Sequence, residues 1–211
     1  MSNWLSVRVK GEFACFTRPE AKVERVTYPI MTPSAARGIL EAIFWHPQFV
    51  WRVHEIHVLS EVRTFSLVRN ELNSKMSIGG SPLLIEEDRT QRHAVCLRDV
   101  DYAIYADVEV KPDVKDDPAK YRDQFRRRVE RGQCFHRPAL GCREFAAEFG
   151  PMPNRDTTID WNEDLGLMLW DLDYKTDAKG NIKPPHSPLF FHAIVESGVL
   201  KVPNKPLGVE R

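Results

Sequence analysis

The sequence predicts an α+β fold, because segments that alternate apolar and polar residues are interspersed with two segments of helical periodicity. The chain has 211 residues, of which 42% are apolar and 28% are charged, a composition typical of a globular protein. A chain of this length can form one domain with a sizeable core and a second, smaller domain.

The predicted domain begins with a strand and a helix. Apolar residues alternate with polar ones over residues 5–9, which indicates a strand with one buried face. Thr32 is suited to cap a helix and Pro33 to occupy its first position, and Pro47 closes that helix. A second strand is predicted over residues 53–62.

The middle of the chain contains an insertion, a strand and a second helix. Residues 63–99 are polar and punctuated by glycine and proline, and we expect a hairpin among them. The clearest strand pattern covers residues 102–110. Asp117 and Pro118 then provide the cap and the first residue of the second helix, and Gly132 marks its end.

A last strand is predicted over residues 140–149. The resulting order is strand, helix, strand, insertion, strand, helix, strand. This is the order of a ferredoxin-like domain, in which two helices cover one face of a four-stranded antiparallel sheet. We predict that this domain comprises residues 1–150, with the insertion at 63–99.

The C-terminal residues 151–211 are predicted to form a small antiparallel β domain. Strand patterns occur at residues 165–174 and 188–202, and a turn between them is predicted at 179–182.

The second helix carries a local concentration of positive charge. Eight Lys and Arg residues and two acidic residues lie between positions 118 and 143, a charge of +6, whereas the whole chain has 30 basic and 30 acidic residues. Most of the cations are arginines, whose guanidinium groups bind phosphate through two parallel hydrogen bonds. We interpret the stretch as a surface for nucleic acid, with a solvated helix face as the alternative.

Other residue patterns lead to predictions about cofactors and location. The four cysteines lack zinc-site spacing, and no apolar run approaches the roughly 18 residues of a membrane helix, so we expect a cytoplasmic protein without cofactor. His54 and His57 are expected on opposite faces of a strand, which does not suit a shared metal. Trp45 and Trp51 are expected in the core, and Asp171 in solvent or facing a basic partner subunit.

Four segments, in order along the chain, resemble one known family. They are Tyr28–Pro47, Val68–Glu71, Lys120–Gly132 and Leu140–Phe145, of which the last resembles the glycine-rich turn of the RAMP superfamily. Together they resemble the Cas5 d-type subunits of type I-C CRISPR systems. The resemblance implies a ferredoxin-like domain followed by a small β domain.

The same resemblance implies a function. Members of the family are endoribonucleases that cut the repeat hairpin of precursor CRISPR RNA without a metal and then remain on the 5′ handle of the guide. They assemble with the backbone and large subunits of the surveillance complex. We therefore expect this RNA and these subunits as partners.

Cleavage of this kind uses a ribose 2′-OH as the nucleophile and leaves a 2′,3′-cyclic phosphate and a 5′-OH. It needs a base for the 2′ proton and a cation for the charge that develops on the phosphate oxygens. Family members have a tyrosine before the tryptophan at the end of the first helix and a Lys–His pair in the second, whereas this chain has Phe44 and the pair Ala119–Lys120. We therefore predict Lys120 as the main catalytic residue and His46 as the second.

The other predicted site residues would bind RNA. They lie on the two helices, in the following loop and at the glycine turn: Arg37, Tyr121, Arg122, Arg126, Arg127, Arg128, His136, Arg137, Gly141 and Arg143. Core packing is the alternative for Tyr121, and a structural role in its loop is the alternative for His136. Two other functions stay open, a scaffold subunit that binds the RNA handle without cutting it and a general nucleic-acid binder that also holds double-stranded DNA.

Overall fold

The computed structural model describes residues 4–74, 79, 84–153, 157–174 and 187–208. Within these ranges the chain forms nine strands and three helices. In chain order they are β1 (Leu5–Ala14), β2 (Arg25–Val26), α1 (Pro33–Ile43), β3 (Phe49–Val58), β4 (Arg63–Leu72), α2 (Ile85–Asp88), β5 (Arg89–Val110), α3 (Pro118–Glu130), β6 (Glu148–Gly150), β7 (Glu163–Asp173), β8 (Ser187–Glu196) and β9 (Val199–Lys201).

The nine described strands belong to one sheet. Its continuous path is β6-β1-β5-β3-β9-β8-β7, and all neighbours along this path are antiparallel. Off this path, β4 pairs antiparallel and β2 parallel with β5. The predicted α+β class, with a largely antiparallel sheet and few helices, is therefore confirmed.

Strand β5 is the longest described element, and its two halves pair with different strands. Its C-terminal half pairs with β1 and β3, and its N-terminal half pairs with β4 in a register that runs from Arg63 opposite Arg98 to Leu72 opposite Arg89. The insertion thus contains the predicted hairpin. Its two strands are β4 and the N-terminal half of β5.

Helices α1 and α3 begin where the sequence predicts, and for the predicted reasons. The Thr32 side chain accepts a hydrogen bond from the amide of Ala35, and the Asp117 side chain accepts one from the amide of Ala119. Gly132 follows α3 with a φ of 62°, a left-handed conformation that glycine adopts without steric cost. These signals are local, which is why the sequence alone is sufficient to find them.

The two helices pack their apolar faces into one core with the sheet. Helix α3 buries Tyr121, Phe125 and Val129 at a spacing of four, and Leu40 is among the buried residues of α1. The ring of Phe125 lies 4.7 Å from that of Trp51 on β3, so α3 is held against the sheet by an aromatic pair.

The strand predicted over residues 140–149 is wrong, because the chain reverses direction within it. Ala139 and Ala146 form an isolated bridge, and the amide of Leu140 donates to the carbonyl of Phe145 at 2.7 Å across a tight turn. A glycine in the left-handed conformation lies within this turn. Only the short strand β6 remains of the predicted element.

Two further strand predictions differ from the structure. Strand β3 lies four residues N-terminal to the segment predicted over 53–62. The strand predicted over 188–202 is interrupted, since Ser197 and Gly198 have φ values of 49° and 75° and turn the chain from β8 into β9. The turn predicted at 179–182 lies outside the described residues.

The C-terminal strands β7 to β9 belong to the same sheet as the strands before them. Strand β9 pairs with β3, where Leu200 lies opposite Ile56, and buried Phe191 of β8 belongs to the same core cluster as the residues of β1 and α1. The division into residues 1–150 and 151–211 stays a prediction.

Trp51 is buried as predicted, but the prediction for Trp45 is wrong, since 58% of this residue is exposed. Helix α1 ends at Ile43, and Phe44 is extended with φ −153° and ψ 120°. Successive side chains of an extended chain point to opposite sides. Phe44 therefore enters the core, and Trp45 is directed to solvent.

We predict that Phe125→Ala lowers the free energy of unfolding by about 3–5 kcal/mol, because it removes the aromatic contact with Trp51 and leaves a cavity. Urea denaturation measures the change. The matched control is Leu167→Ala on β7, where the side chain is exposed and a change within about 0.5 kcal/mol is expected. Equal effects of the two substitutions would contradict the core described here.

Candidate functional site

The C-terminal end of α1 is the point at which the candidate site is assembled. The carbonyl of Ala42 accepts hydrogen bonds from the amides of Phe135 at 2.8 Å and His136 at 3.4 Å. The carbonyl of Ile43 accepts one from the Arg128 guanidinium at 2.8 Å. Carbonyls in the last turn of a helix have no partner within the helix, and these three donors satisfy two of them. The loop after α3, and α3 itself, are thereby attached to α1.

The two predicted catalytic residues both lie near the ring of one tyrosine, Tyr121, beside this helix end. The Lys120 ammonium is 5.2 Å from the centre of the Tyr121 ring, and the centre of the His46 ring is 5.7 Å from it. Asp116 joins the group, since its carboxylate accepts from the Tyr121 hydroxyl and from Lys120 Nζ at 3.3 Å. The structure thus brings Lys120 and His46 together and adds a carboxylate.

Asp116 is a site residue that the sequence analysis missed. It lies four residues before Lys120, a spacing at which opposite charges often pair, but it also lies one residue before the cap of α3. The sequence signal that could have found it is the acidic pair Asp116 and Asp117 directly ahead of α3. One member of that pair caps the helix, and the other is free to reach the lysine and the tyrosine.

Hydrogen bonding in this group fixes the protonation of two members. The hydrogen bonds that Asp116 accepts, from Tyr121 first and from Lys120 next, hold the pKa of its carboxyl below the ordinary value. The same bond raises the pKa of Tyr121 to about 12, with burial adding to the effect. At neutral pH the carboxylate is therefore ionised and the phenol keeps its proton, so Tyr121 does not act as a base.

His46 is oriented by a neighbour. Its Nδ1 contacts the side-chain oxygen of Gln48, and in the neutral tautomer that donates to this oxygen Nδ1 carries the proton. Nε2 then has a free lone pair and makes no hydrogen bond to the part of the chain that the structure describes. A histidine in this state has the atom that a general base needs.

Tyr121 itself packs in the core. Its ring is buried and lies 5.0 Å from Phe49 and 6.4 Å from Phe44. Any contact with RNA would therefore involve its hydroxyl. Phe44 is also buried, so the position at which the family has a catalytic tyrosine is here part of the apolar core.

A groove of about 880 Å³ runs along α1. Small residues of α1 line it, among them Ser34, Gly38 and Ala42. Four of the predicted RNA-binding residues, from the loop after α3 and from the glycine turn, also line it: His136, Arg137, Gly141 and Arg143. Ala42, whose carbonyl bonds to the loop, connects this groove to the C-terminal end of α1.

Arg137 and Arg143 are the arginines best placed for a ligand. Both are exposed, both line the groove, and neither has an ion pair or hydrogen bond with any described residue. A guanidinium group without a protein partner can bind a phosphate without first breaking a bond.

The predicted RNA-binding arginines of α3 are instead engaged within the protein. Arg122 donates two hydrogen bonds to Asp107, one of them at 2.7 Å. Arg126 pairs with the Asp123 carboxylate at 2.9 Å, and Arg127 reaches the carbonyl of the same residue at 3.4 Å. Arg128 caps α1 as described above. Their contact with RNA stays a prediction, and it would compete with these bonds.

Arg37 is engaged most strongly. It donates to Asp171 at 3.0 and 2.9 Å and to Glu41 at 2.7 Å. Burial by itself lowers the pKa of Arg37, but the bonds and charges of Asp171 and Glu41 outweigh it and raise the pKa above the ordinary value. The prediction that Asp171 faces solvent or a partner subunit is wrong, because it is the residue that joins β7 to α1.

The glycine turn is packed tightly against the end of β1. Gly141 has a φ of 86°, and a Cβ placed there would overlap the carbonyl oxygen of Cys15. The amide of Cys15 donates to the carbonyl of Leu140 at 3.0 Å, which fixes the two segments together. Any larger residue at this position would push the turn, with its neighbour Arg143, away from β1.

In the described ranges, no group of three or more His, Cys, Asp or Glu side chains is arranged to hold a metal ion. A bulge between Val53 and Glu55 shifts the alternation of β3, so both His54 and His57 face away from the core, and the prediction of opposite faces is wrong. His57 bonds to Glu55 at 2.8 Å, and His54 stacks on Trp4. Among the described helices, none has the length and hydropathy that crossing a bilayer requires.

Comparison with known proteins places this arrangement in a family. Residues 4–203 match the Cas5d family, described as "CRISPR-associated protein (Cas_Cas5)". The chain belongs to this family. The predicted resemblance is therefore confirmed.

Two relatives of this Cas5d protein are named CRISPR pre-crRNA endoribonuclease Cas5d. The relative from Thermus thermophilus is 45% identical over 210 residues, which cover 94% of this chain and 91% of that protein. The relative from Mannheimia succiniciproducens is 41% identical over 224 aligned positions and covers 96% of each chain. A crystal structure described as a CRISPR-associated protein superposes with a TM-score of 0.69 at 24% identity, covering 97% of this chain and 93% of the other, and supports the fold.

We predict that Gly141→Ala lowers the free energy of unfolding by about 2–5 kcal/mol, since it combines a left-handed backbone with overlap at Cys15. Gly132→Ala is the matched control. Gly132 also has a positive φ, but a Cβ there meets no heavy atom within 4 Å, so only the conformational cost of about 1–2 kcal/mol is expected. Chemical denaturation of both variants makes the comparison, and a loss at Gly141 no larger than at Gly132 would show that the turn is not tightly packed.

Proposed function

We propose that this Cas5d protein is an endoribonuclease that cuts the repeat hairpin of precursor CRISPR RNA without a metal and then remains on the 5′ handle of the guide. The observation that carries the proposal is that Lys120, His46 and Asp116 all lie close to Tyr121, while the groove along α1 presents two arginines without a partner among the described residues. The names of its relatives, which are 45% and 41% identical, support the same activity.

The geometry supports a specific division of labour. Nε2 of His46 takes the proton from the 2′-OH, and the 2′ oxygen forms a bond to the adjacent phosphorus while the bond from phosphorus to the 5′ oxygen breaks. The Lys120 ammonium stabilises the charge on the non-bridging oxygens. The leaving 5′ oxygen takes a proton from solvent water and becomes a 5′-OH, the proton on His46 returns to solvent, and the other product end is a 2′,3′-cyclic phosphate.

Asp116 has a supporting role in this scheme. It holds the ammonium of Lys120 at 3.3 Å and the hydroxyl of Tyr121 by a hydrogen bond, and it is half-buried at the protein surface. Restricting a flexible lysine in this way reduces the entropy lost when the transition state forms. The nucleophile belongs to the substrate, so alignment of the 2′ oxygen with the leaving oxygen is the main task of the groove.

The strand order supports a more detailed description of the fold. Strands β6-β1-β5-β3, with α1 after β1 and α3 before β6, have the order and connections of a ferredoxin-like domain, and we interpret them as one. The β4–β5 hairpin is then the insertion, and β7 to β9 correspond to the small β domain. We propose that backbone and large subunits of the type I-C complex bind this protein in the cytoplasm.

A scaffold subunit that binds the handle without cutting is the second candidate function. One observation favours it, since Phe44 and Ala119 stand where family members have groups that transfer protons, and Phe44 is buried under the Arg128 guanidinium, 5.5 Å from its ring. The same groove and the same unpaired arginines would serve that role.

Incubation of the purified protein with its repeat hairpin RNA in EDTA decides between these functions. We expect one discrete cut with a 2′,3′-cyclic phosphate end. Lys120→Ala should lower the cleavage rate by at least about 100-fold, because it removes a cation at the phosphate, and should leave hairpin affinity nearly unchanged. Lys201→Ala, an exposed lysine on β9, is the matched control and should cut normally.

Three outcomes would contradict parts of the proposal. Tight binding without a product at any pH would establish the scaffold function. Normal turnover by Lys120→Ala would exclude Lys120 as the catalytic cation. A requirement for added metal would exclude the proposed chemistry.

We predict that replacing Arg137 and Arg143 together by alanine weakens hairpin binding and makes its salt dependence shallower. The slope of log K against log salt should change by about 1.4–1.8, the value for two lost phosphate contacts. The matched control replaces Arg126 and Arg127, of which one is paired with a carboxylate and the other with a carbonyl, and a smaller change is expected. Equal binding of a double-stranded DNA of the same length would instead favour the general nucleic-acid binder.

A further inference from the structure

Phe135 is an aromatic residue for which the fold has no evident use. It is 84% exposed, the highest value among the large apolar side chains that the structure describes. Its exposure is not the result of a loose loop, because its own amide and that of His136 both donate to the carbonyl of Ala42. A phenyl ring is therefore held in solvent by a backbone that is fixed to α1.

The surroundings of Phe135 indicate what covers it. It lines the groove together with Arg137 and Arg143, which have no ion pair within the described residues. The His136 ring lies 5.9 Å away, nearly perpendicular to it at 86°. A flat apolar ring in the same groove as two guanidinium groups without a described partner matches a ligand that has both flat faces and negative charges. Single-stranded nucleic acid has this chemistry, since each unpaired base offers a π-face and each phosphate a charge.

We propose that Phe135 stacks on an unpaired nucleobase of the repeat RNA, while Arg137 and Arg143 bind phosphates near that base. The proposal rests on the function proposed above, in which RNA occupies the groove. The base must be unpaired, because paired bases inside a helix do not present their faces to a protein. Phe135 is attached to the same end of α1 as His46, so a base held there fixes the path of the RNA toward the catalytic group.

The experiment uses repeat RNAs with 2-aminopurine at each unpaired position in turn, and a 2′-deoxy nucleotide at the mapped cleavage position so that the RNA stays intact. Stacking on an aromatic ring quenches 2-aminopurine. We expect one position to be quenched by the wild-type protein and by Phe135→Trp, but not by Phe135→Ala. The affinity of Phe135→Ala should fall about 5- to 100-fold, the range for one stacked base.

Two comparisons separate stacking from other effects. Phe135→Leu keeps an apolar side chain without a ring and should resemble Phe135→Ala in both quenching and affinity. Phe135→Ala should keep the salt slope and the melting temperature of the wild type, because it removes no charge and no buried contact. Leu167→Ala, at an exposed apolar position on β7, should bind as the wild type does.

Wild-type affinity and quenching in Phe135→Ala would overturn the stacking proposal and leave the endoribonuclease function intact. The same result with impaired assembly into the complex would overturn it in favour of a protein contact. Failure of the wild-type protein to bind the RNA at all would overturn the proposed function, and the stacking proposal with it.

Discussion

The candidate site depends on one constraint, that the carbonyls at the C-terminal end of α1 need hydrogen-bond donors. Amides of Phe135 and His136 and the guanidinium of Arg128 provide them. Because these donors come from α3 and from the loop after it, capping one helix also sets the position of the basic loop. The extended Phe44 then directs the chain so that His46 faces Tyr121. A single local requirement thus holds the loop of the groove and α3, with its candidate catalytic residue, against the same end of α1.

Pairing of charges decides where the positive field is available. The stretch from 118 to 143 has a charge of +6 in sequence, but Asp107 and Asp123 hold Arg122 and Arg126. Ion pairs at a half-exposed surface contribute only about 0–1 kcal/mol each, but a phosphate that binds such a guanidinium must first displace its carboxylate. Arg137 and Arg143, in the groove itself, have no such partner among the described residues.

Aromatic residues form one side of the candidate site. Phe44 is part of the core, and the Arg128 guanidinium lies 5.5 Å from its ring. A tyrosine one turn into α3 stays buried, but its hydroxyl reaches Asp116, and the same carboxylate holds Lys120. The polar groups therefore lie at the edge of an aromatic cluster. The low dielectric constant on the side of the cluster strengthens each of their hydrogen bonds.

The sequence by itself determined the parts of this protein that depend on near neighbours. Caps at Thr32 and Asp117 act within a few residues, alternation identified the central strands, and ordered motifs identified the family. The tertiary structure alone decided which arginines are free, that Asp116 joins the site and that Trp45 is exposed. Arg37 and Asp171 are 134 positions apart, and no local pattern connects such residues. Long-range pairs form only when the sheet brings them together, so they are consequences of the fold and not signals within the sequence.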